Sequence, residues 1–192
     1  MATPAYPVGV LVIPGATELD LTLHLELFRV ANSLLNKTVF CVDILTVDNQ
    51  DVALANGRLV SPTGTLNPIT DYALSIVLSH INPTPTLLSP IHVAVRKLAK
   101  ASALIAAADQ APLLLASAGL LNGKVATCHV DLLLAARESY PAVEFVDRLW
   151  VRNGNILTYP GHLSTVDTMT EYICDILGEE FGEALSAEMI SP

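Results

Sequence analysis

The stretch Ile105-Ala-Ala-Ala-Asp109-Gln-Ala-Pro112-Leu-Leu-Leu-Ala-Ser-Ala-Gly119-Leu-Leu-Asn-Gly123-Lys-Val-Ala-Thr-Cys128-His129 decides how this chain folds. Small residues over Ala103–Ala108 read as a buried strand that stops at Asp109. An apolar helix follows at once, with Pro112 in its first turn, where a missing N–H costs nothing. Gly119 and Gly123 end the helix, and a second short strand delivers His129, twenty positions after Asp109. Strand, sharp turn and helix is the geometry that presents a reactive side chain at the end of a sheet. Here the residue at the tip is a carboxylate.

Outward from this elbow, apolar strands alternate with amphipathic helices. Val8–Ile13, Val39–Val47 and Leu74–Leu78 read as strands, and so do the short segments Val143–Phe145, Trp150–Val151 and Ile156–Thr158. Asn56-Gly57 within Asp51–Thr65 predicts a hairpin, and Asn153-Gly154 predicts a turn. A helix begins near Asp20, with Leu23, Leu27, Val30, Ala31 and Leu34 on one face. Asn82–Pro90, with three prolines, reads as a loop before a helix over Ile91–Lys100. His129–Ser139, Thr165–Leu177 (stopped by Gly178) and Glu179–Met189 read as helices. The alternation predicts an α/β fold: a doubly wound, mostly parallel sheet flanked by helices, flavodoxin-like, in one domain over residues 1–192.

Composition narrows the function. Hydrophobic residues make up 52% of the 192, as a sheet buried on both faces requires. No apolar run approaches the ~18 residues of a membrane span, and no basic segment precedes the first apolar stretch, so neither a membrane protein nor a signal peptide is expected. The net charge is −9, and the ten basic residues are scattered, so this chain by itself is not expected to bind DNA. Cys41, Cys128 and Cys174 are odd in number and lack metal-ligand spacing; they read as reduced thiols of a cytoplasmic protein. Neither a metal site nor a cofactor motif is expected.

Three segments carry a resemblance. They are Val8-Gly-Val-Leu-Val-Ile-Pro14-Gly15 with Leu19-Asp20-Leu21 and Glu26-Leu27-Phe28; Leu115–His129; and Ile156-Leu-Thr158 with Gly161 and Asp167. In order and spacing the chain resembles the ThiJ/PfpI superfamily, the class I glutamine amidotransferase-like proteins. The resemblance implies an acid on the first loop, matched by Asp20, and a histidine after the elbow, matched by His129. It also implies an elbow cysteine, where this chain has Asp109. A glycine pair that helps form an oxyanion hole is usual where this chain has Ser79-His80.

A branch of that superfamily is the N-terminal domain of AraC-type transcription regulators. Resemblance to it implies a non-catalytic small-molecule-sensing domain, a homodimer paired through the first helix and nearby strands, and a helix-turn-helix domain beyond Pro192 that would contact DNA. The alternative is a hydratase or hydrolase resembling isocyanide hydratase through Leu19-Asp20-Leu21-Thr22, with Asp20 or Asp109 activating water.

The pocket residues expected are Asp20, Asp109, His129 and His80. Each has a plainer role open to it. Asp109 and Asp20 are both placed to cap helices, His129 could bond only to backbone, and His80 could be a solvated loop residue. Cys128 reads as core, because alternate strand residues face opposite ways. His162, beside Gly161, is noted without being placed in the pocket. Two carboxylates in one cleft favour a cationic or amine-bearing effector over an anion.

Overall fold

The computed structural model describes residues 6–67, 71–80 and 85–190. Its centre is a six-stranded sheet in the order β2-β1-β5-β6-β10-β9. The strands are β1 (Tyr6–Val12), β2 (Phe40–Leu45), β5 (Leu74–Ser79), β6 (Leu104–Asp109), β9 (Val151–Asn153) and β10 (Ile156–Tyr159). All neighbours are parallel except the edge strand β9, which turns back onto β10 at Asn153-Gly154. The expected doubly wound fold is the observed one.

The side-chain alternation of the strands builds two cores, one on each face of the sheet. Leu11, Val77 and Ala107 point to the face covered by α2 (Pro85–Ala101) and α3 (Ala111–Ser117), where Ile91, Val95, Leu98 and Leu115 are buried. Val10, Ile76 and Ala106 point the other way. There Leu27 and Phe28 of α1 (Glu18–Leu34), Met169 and Ile173 of α5 (Ser164–Leu177), and Leu185 of α6 (Glu179–Ile190) complete the second core. The small side chains of β6 let helices close in on the middle of the sheet from both sides. The hairpin at Asn56-Gly57 forms as β3 (Val52–Ala53) and β4 (Leu59–Val60). The short strands β7 (Val125–Ala126) and β8 (Glu144–Phe145) pair beside the main sheet.

Four local expectations are corrected. The loop over Asn82–Pro90 is helical from Pro85 onward; its residues 82–84 lie outside those described. Pro90 sits inside α2, where a proline costs about 3 kcal/mol. The buried face Ile91, Ala94, Val95 and Leu98 offsets that cost. Asp20 is not the N-cap of α1. Thr17 is, its hydroxyl accepting from the Asp20 N–H at 3.1 Å while Asp20 reaches back to the Thr17 hydroxyl at 2.5 Å. The Thr17 hydroxyl thus accepts from the Asp20 backbone and donates to the Asp20 carboxylate, so the two residues hold each other at the helix start. Asp109 caps nothing: Gln110 holds the N-cap position of α3 and makes no side-chain cap bond. Finally, Cys128 and His129 lie past β7. His129 caps a 3-10 turn over Val130–Leu132 ahead of α4 (Leu133–Ser139), and Cys128 is buried in the core.

The second core closes where α5 and α6 cross at Gly182. A Cβ built there would lie 1.9 Å from the Cys174 sulfur, so only hydrogen fits. Gly182→Ala is expected to lose roughly 1–3 kcal/mol by overpacking. Cys174→Ala in the same chain should restore most of that loss, as measured by urea unfolding. Equal stability of Gly182→Ala and wild type would show that the helices are not in this register.

Candidate functional site

The site lies at the carboxyl ends of β5, β6 and β10, where doubly wound sheets bind their ligands. Ser79 pairs with Asp109 across the last rung of the β5–β6 ladder. The chain then turns so sharply that Asp109 adopts φ +60°, a conformation that non-glycine residues rarely hold. The elbow geometry read from the sequence is therefore present, together with its backbone strain. The N–H of Gln110 donates to the Ser79 carbonyl at 3.0 Å, and that of His129 to the Asp109 carbonyl at 3.2 Å, which ties the flanking segments to the tip.

The Asp109 residue is only 1% exposed. One carboxylate oxygen, Oδ2, is 2.7 Å from His80 Nδ1. An ionised carboxylate only accepts, so Nδ1 donates to it. The other oxygen, Oδ1, is buried with no hydrogen-bond partner among the described residues. Burial pushes the Asp109 carboxyl above the usual range. The hydrogen bond and charge of His80 oppose this, Asp20 adds to it, and His162 opposes it.

Gly161, at φ +79°, carries the chain past this carboxylate. A Cβ there would sit 2.9 Å from the Asp109 Cβ, 3.0 Å from the Asp109 nitrogen and 3.1 Å from Asp20 Oδ1. The two carboxylates thus flank the same backbone segment. The next residue, His162, is also left-handed, and its N–H donates to Asp20 Oδ1 at 2.5 Å. Its ring stands edge-on to those of His80 (5.9 Å) and His129 (5.8 Å). One donor atom each from His80, Asp109 and His162 all lie within 4.8 Å of one another.

All four pocket residues expected from sequence are near this elbow, in unequal roles. Asp109 and His80 are bonded to each other. His129 contacts the cluster through the ring of His162 and caps the Val130–Leu132 turn through Nδ1, 3.4 Å from the Asp131 nitrogen. Asp20 is 2% exposed and spends both oxygens on protein donors, from His162 and Thr17, so it positions the loop.

His162 belongs to the cluster although sequence reasoning left it out. The usable signal was Pro160-Gly161 at the end of a strand adjacent to the elbow strand. His24 and Tyr159 gave no such signal. The His24 ring is fully buried under the site, 2.6 Å from the Asp20 carbonyl through Nδ1 and 2.5 Å from the Tyr159 hydroxyl through Nε2. A carbonyl only accepts, so Nδ1–H donates to it, and Nε2 accepts from Tyr159. The ring is held neutral.

No cysteine stands at the elbow tip, where Asp109 sits. Burial pushes the Cys128 thiol up to about 12, and burial also raises that of Cys174. Cys41 is exposed on β2, away from the carboxyl ends of the central strands.

With this geometry established, comparison with known proteins is direct. Residues 7–176 match the DJ-1/PfpI family. The chain belongs to that family. It is 27% identical over 180 residues to the HTH-type transcriptional regulator CdhR of Pseudomonas aeruginosa, covering 94% of this chain and 53% of the relative. It is likewise 27% identical over 182 residues to the HTH-type transcriptional regulator GbdR of the same species, covering 94% of this chain and 48% of the relative. The chain spans about half the length of these curated relatives.

Among solved structures, an AraC family transcriptional regulator from Pseudomonas putida superposes with a TM-score of 0.80 at 16% identity, covering 97% of this chain and 100% of that one. Drosophila melanogaster DJ-1beta superposes at 0.79 and 17% identity, covering 98% and 99%. These structures share the DJ-1/PfpI fold with this chain. Its elbow carries Asp109 on that fold.

The buried His24 makes stability depend on pH. Burial holds its pKa below the ordinary value of about 6.5, against the opposing pull of Asp20. The unfolded chain therefore binds a proton that the folded chain refuses, and stability falls as pH drops below about 6.5. A single such group contributes at most about 1.4 kcal/mol per pH unit. Denaturation between pH 7.5 and 5.5 should show a smaller loss in His24→Gln than in wild type. Parallel pH profiles would mean that the native ring takes up the proton.

Proposed function

We propose that the chain is a non-catalytic small-molecule-sensing domain of an AraC-family transcriptional regulator. The observation that carries this reading is Asp109 Oδ1, an elbow carboxylate oxygen that is buried and lacks a partner among the described residues. A buried acceptor without a donor costs about 1–3 kcal/mol, and a bound ligand that donates to it recovers that cost. The elbow offers no thiolate nucleophile, and Ser79-His80 stands where a glycine pair would help hold an oxyanion. The names of CdhR and GbdR support the regulatory role. DNA contact belongs to a part of the protein outside this chain. Among the described residues no helix is long and apolar enough to cross a membrane.

The effector in this reading is cationic or amine-bearing. Asp109 and Asp20 flank Gly161, and the groups that act on the Asp109 charge are two histidines and Asp20, with no lysine or arginine among them. Screening small amines and matched carboxylic acids by thermal shift tests this. Amines should raise the Tm of the wild type, and Asp109→Asn, which keeps the shape and removes the charge, should abolish the rise. Stabilisation by anions alone would refute the charge argument. Turnover of isocyanides or small amides that disappears in Asp109→Asn would instead support the hydratase reading, with Asp109 as the group that activates water.

The domain pairs with a second copy through α1 and the β3–β4 hairpin. Glu18 at the start of α1 holds the hairpin through Asn56 and Arg58. Leu19, next to Glu18, is 46% exposed, and Leu59, next to Arg58, is 69% exposed. Sedimentation at micromolar concentration should give a dimer, and Leu59→Glu should shift it to monomer. A wild-type monomer of 20.4 kDa would remove the proposal.

A further inference from the structure

We propose that His80, Asp109 and His162 bind one divalent transition-metal ion of the zinc, cobalt or nickel type. This deepens the sensing reading by naming the cation that the pocket takes. It stands on the side-chain cluster alone, since a domain can hold an ion whether or not it controls a gene.

The donor set is the first ground. Two imidazoles and one carboxylate are the ligands that borderline ions prefer, and three protein ligands leave a coordination position open for water or an effector group. Calcium and magnesium favour oxygen ligands throughout, so they fit poorly here.

Geometry is the second ground. The three donor atoms lie within 4.8 Å of one another. Bonds of about 2.0–2.2 Å in a tetrahedral arrangement put donors about 3.3 Å apart. The cluster must close by about 1.5 Å at its widest. The side chain of His80 is 40% exposed and His162 is half-buried, so both rings have room to swing toward the fixed Asp109.

The unmet bonding capacity is the third ground. Asp109 Oδ1 is buried with no hydrogen-bond partner among the described residues, and neutral imidazoles at His80 and His162 offer lone pairs beside it. An ammonium group donates to these acceptors one proton at a time. A metal ion satisfies three lone pairs together, and its double charge balances Asp109 and Asp20. The surroundings also hold the ligands in place. The Asp20 carboxylate fixes the His162 backbone, the strained φ of Asp109 fixes its carboxylate, and His129 stands edge-on against the ring of His162.

The sequence could not show this set. The ligands are 29 and 53 positions apart and come from the ends of three different strands, so no short spacing encodes them.

Titration of EDTA-treated protein with Co²⁺ tests the site, read by visible d–d absorption and by the rise in Tm, in a Cys41→Ser background that removes the exposed thiol. One ion per chain is expected. His80→Ala, His162→Ala and Asp109→Asn should each weaken binding by more than the roughly 10–100-fold that loss of a merely supporting partner costs. His129→Ala removes a supporting ring and no ligand, so its loss of affinity should stay within that roughly 10–100-fold. Asp109→Asn is near-isosteric and guards against loss of fold as the cause.

Binding that persists undiminished in the three ligand variants would locate the ion elsewhere and overturn the proposal, as would no binding at all. If amines stabilise the metal-free protein while Co²⁺ does not, the metal site falls and the sensing reading stands. If Co²⁺ binds as described and no small molecule shifts the loaded protein, the site stands and the effector claim falls.

Discussion

Everything at the carboxyl end of this sheet is arranged around the close approach of Gly161 to Asp109. Two backbone segments pass so tightly that a single added carbon would meet the Asp109 Cβ at 2.9 Å and an Asp20 oxygen at 3.1 Å. The packing fixes the loop after β10, and the loop fixes His162. It also seals the elbow carboxylate from water. A carboxylate in such a place needs donors, and among the described residues there is one, from His80, for two oxygens. Protein stability is a small difference between large terms, so an unmet buried acceptor is retained only where the rest of the fold can carry its cost. Two well-filled cores, one on each face of the sheet, provide that margin.

Below the elbow lies a second layer of polar groups whose hydrogen bonds are met. Thr17, Asp20, the His162 N–H, His24 and Tyr159 form one chain of contacts from the start of α1 to the end of β10. In a dry environment such contacts are strong and directional, and each bond fixes the roles of the next. The Asp20 carbonyl fixes which nitrogen of His24 is protonated, and that in turn fixes the direction of the Tyr159 hydroxyl. Burial drives the Tyr159 pKa well above its ordinary value, so the hydroxyl keeps its proton. The site therefore has a floor whose hydrogen bonds are met and a partly open roof of histidines.

The sequence made the fold legible because its signals there are local and periodic. Apolar runs gave the strands, helical spacing gave the faces, and Pro112, Gly119, Asn56-Gly57 and Gly178 punctuated the elements. The misreadings came where a distant contact outvoted a local preference. Pro90 is carried inside α2 by the burial of Ile91 and Val95. Asp109 had the composition of a helix cap, and its partner turned out to be a histidine 29 positions upstream. Asp20 read as a cap because Asp favours that place, yet Thr17 three positions earlier holds it. Asp109, His80, His129 and Asp20 were reachable because strand ends are identifiable. His162 needed the loop geometry of Gly161, and His24 looked like one more position on an apolar helix face.

The consequence of carrying aspartate at the elbow follows from what each side chain does when desolvated. A thiolate at a helix start is a weakly hydrated nucleophile, and it remains reactive in a dry site. A carboxylate in the same place becomes more basic and reaches out for a proton, a donor or a cation. Its neighbours respond in kind. Imidazoles that could serve a thiolate by moving protons become, beside a carboxylate, donors and lone-pair ligands. The strained backbone of Asp109 is kept, since it comes from the sheet-to-helix turn, and it now aims an acceptor where a nucleophile would stand. In the sensing reading proposed above, this one residue at a constrained point of the fold gives the site a group that holds a ligand in place of one that attacks it.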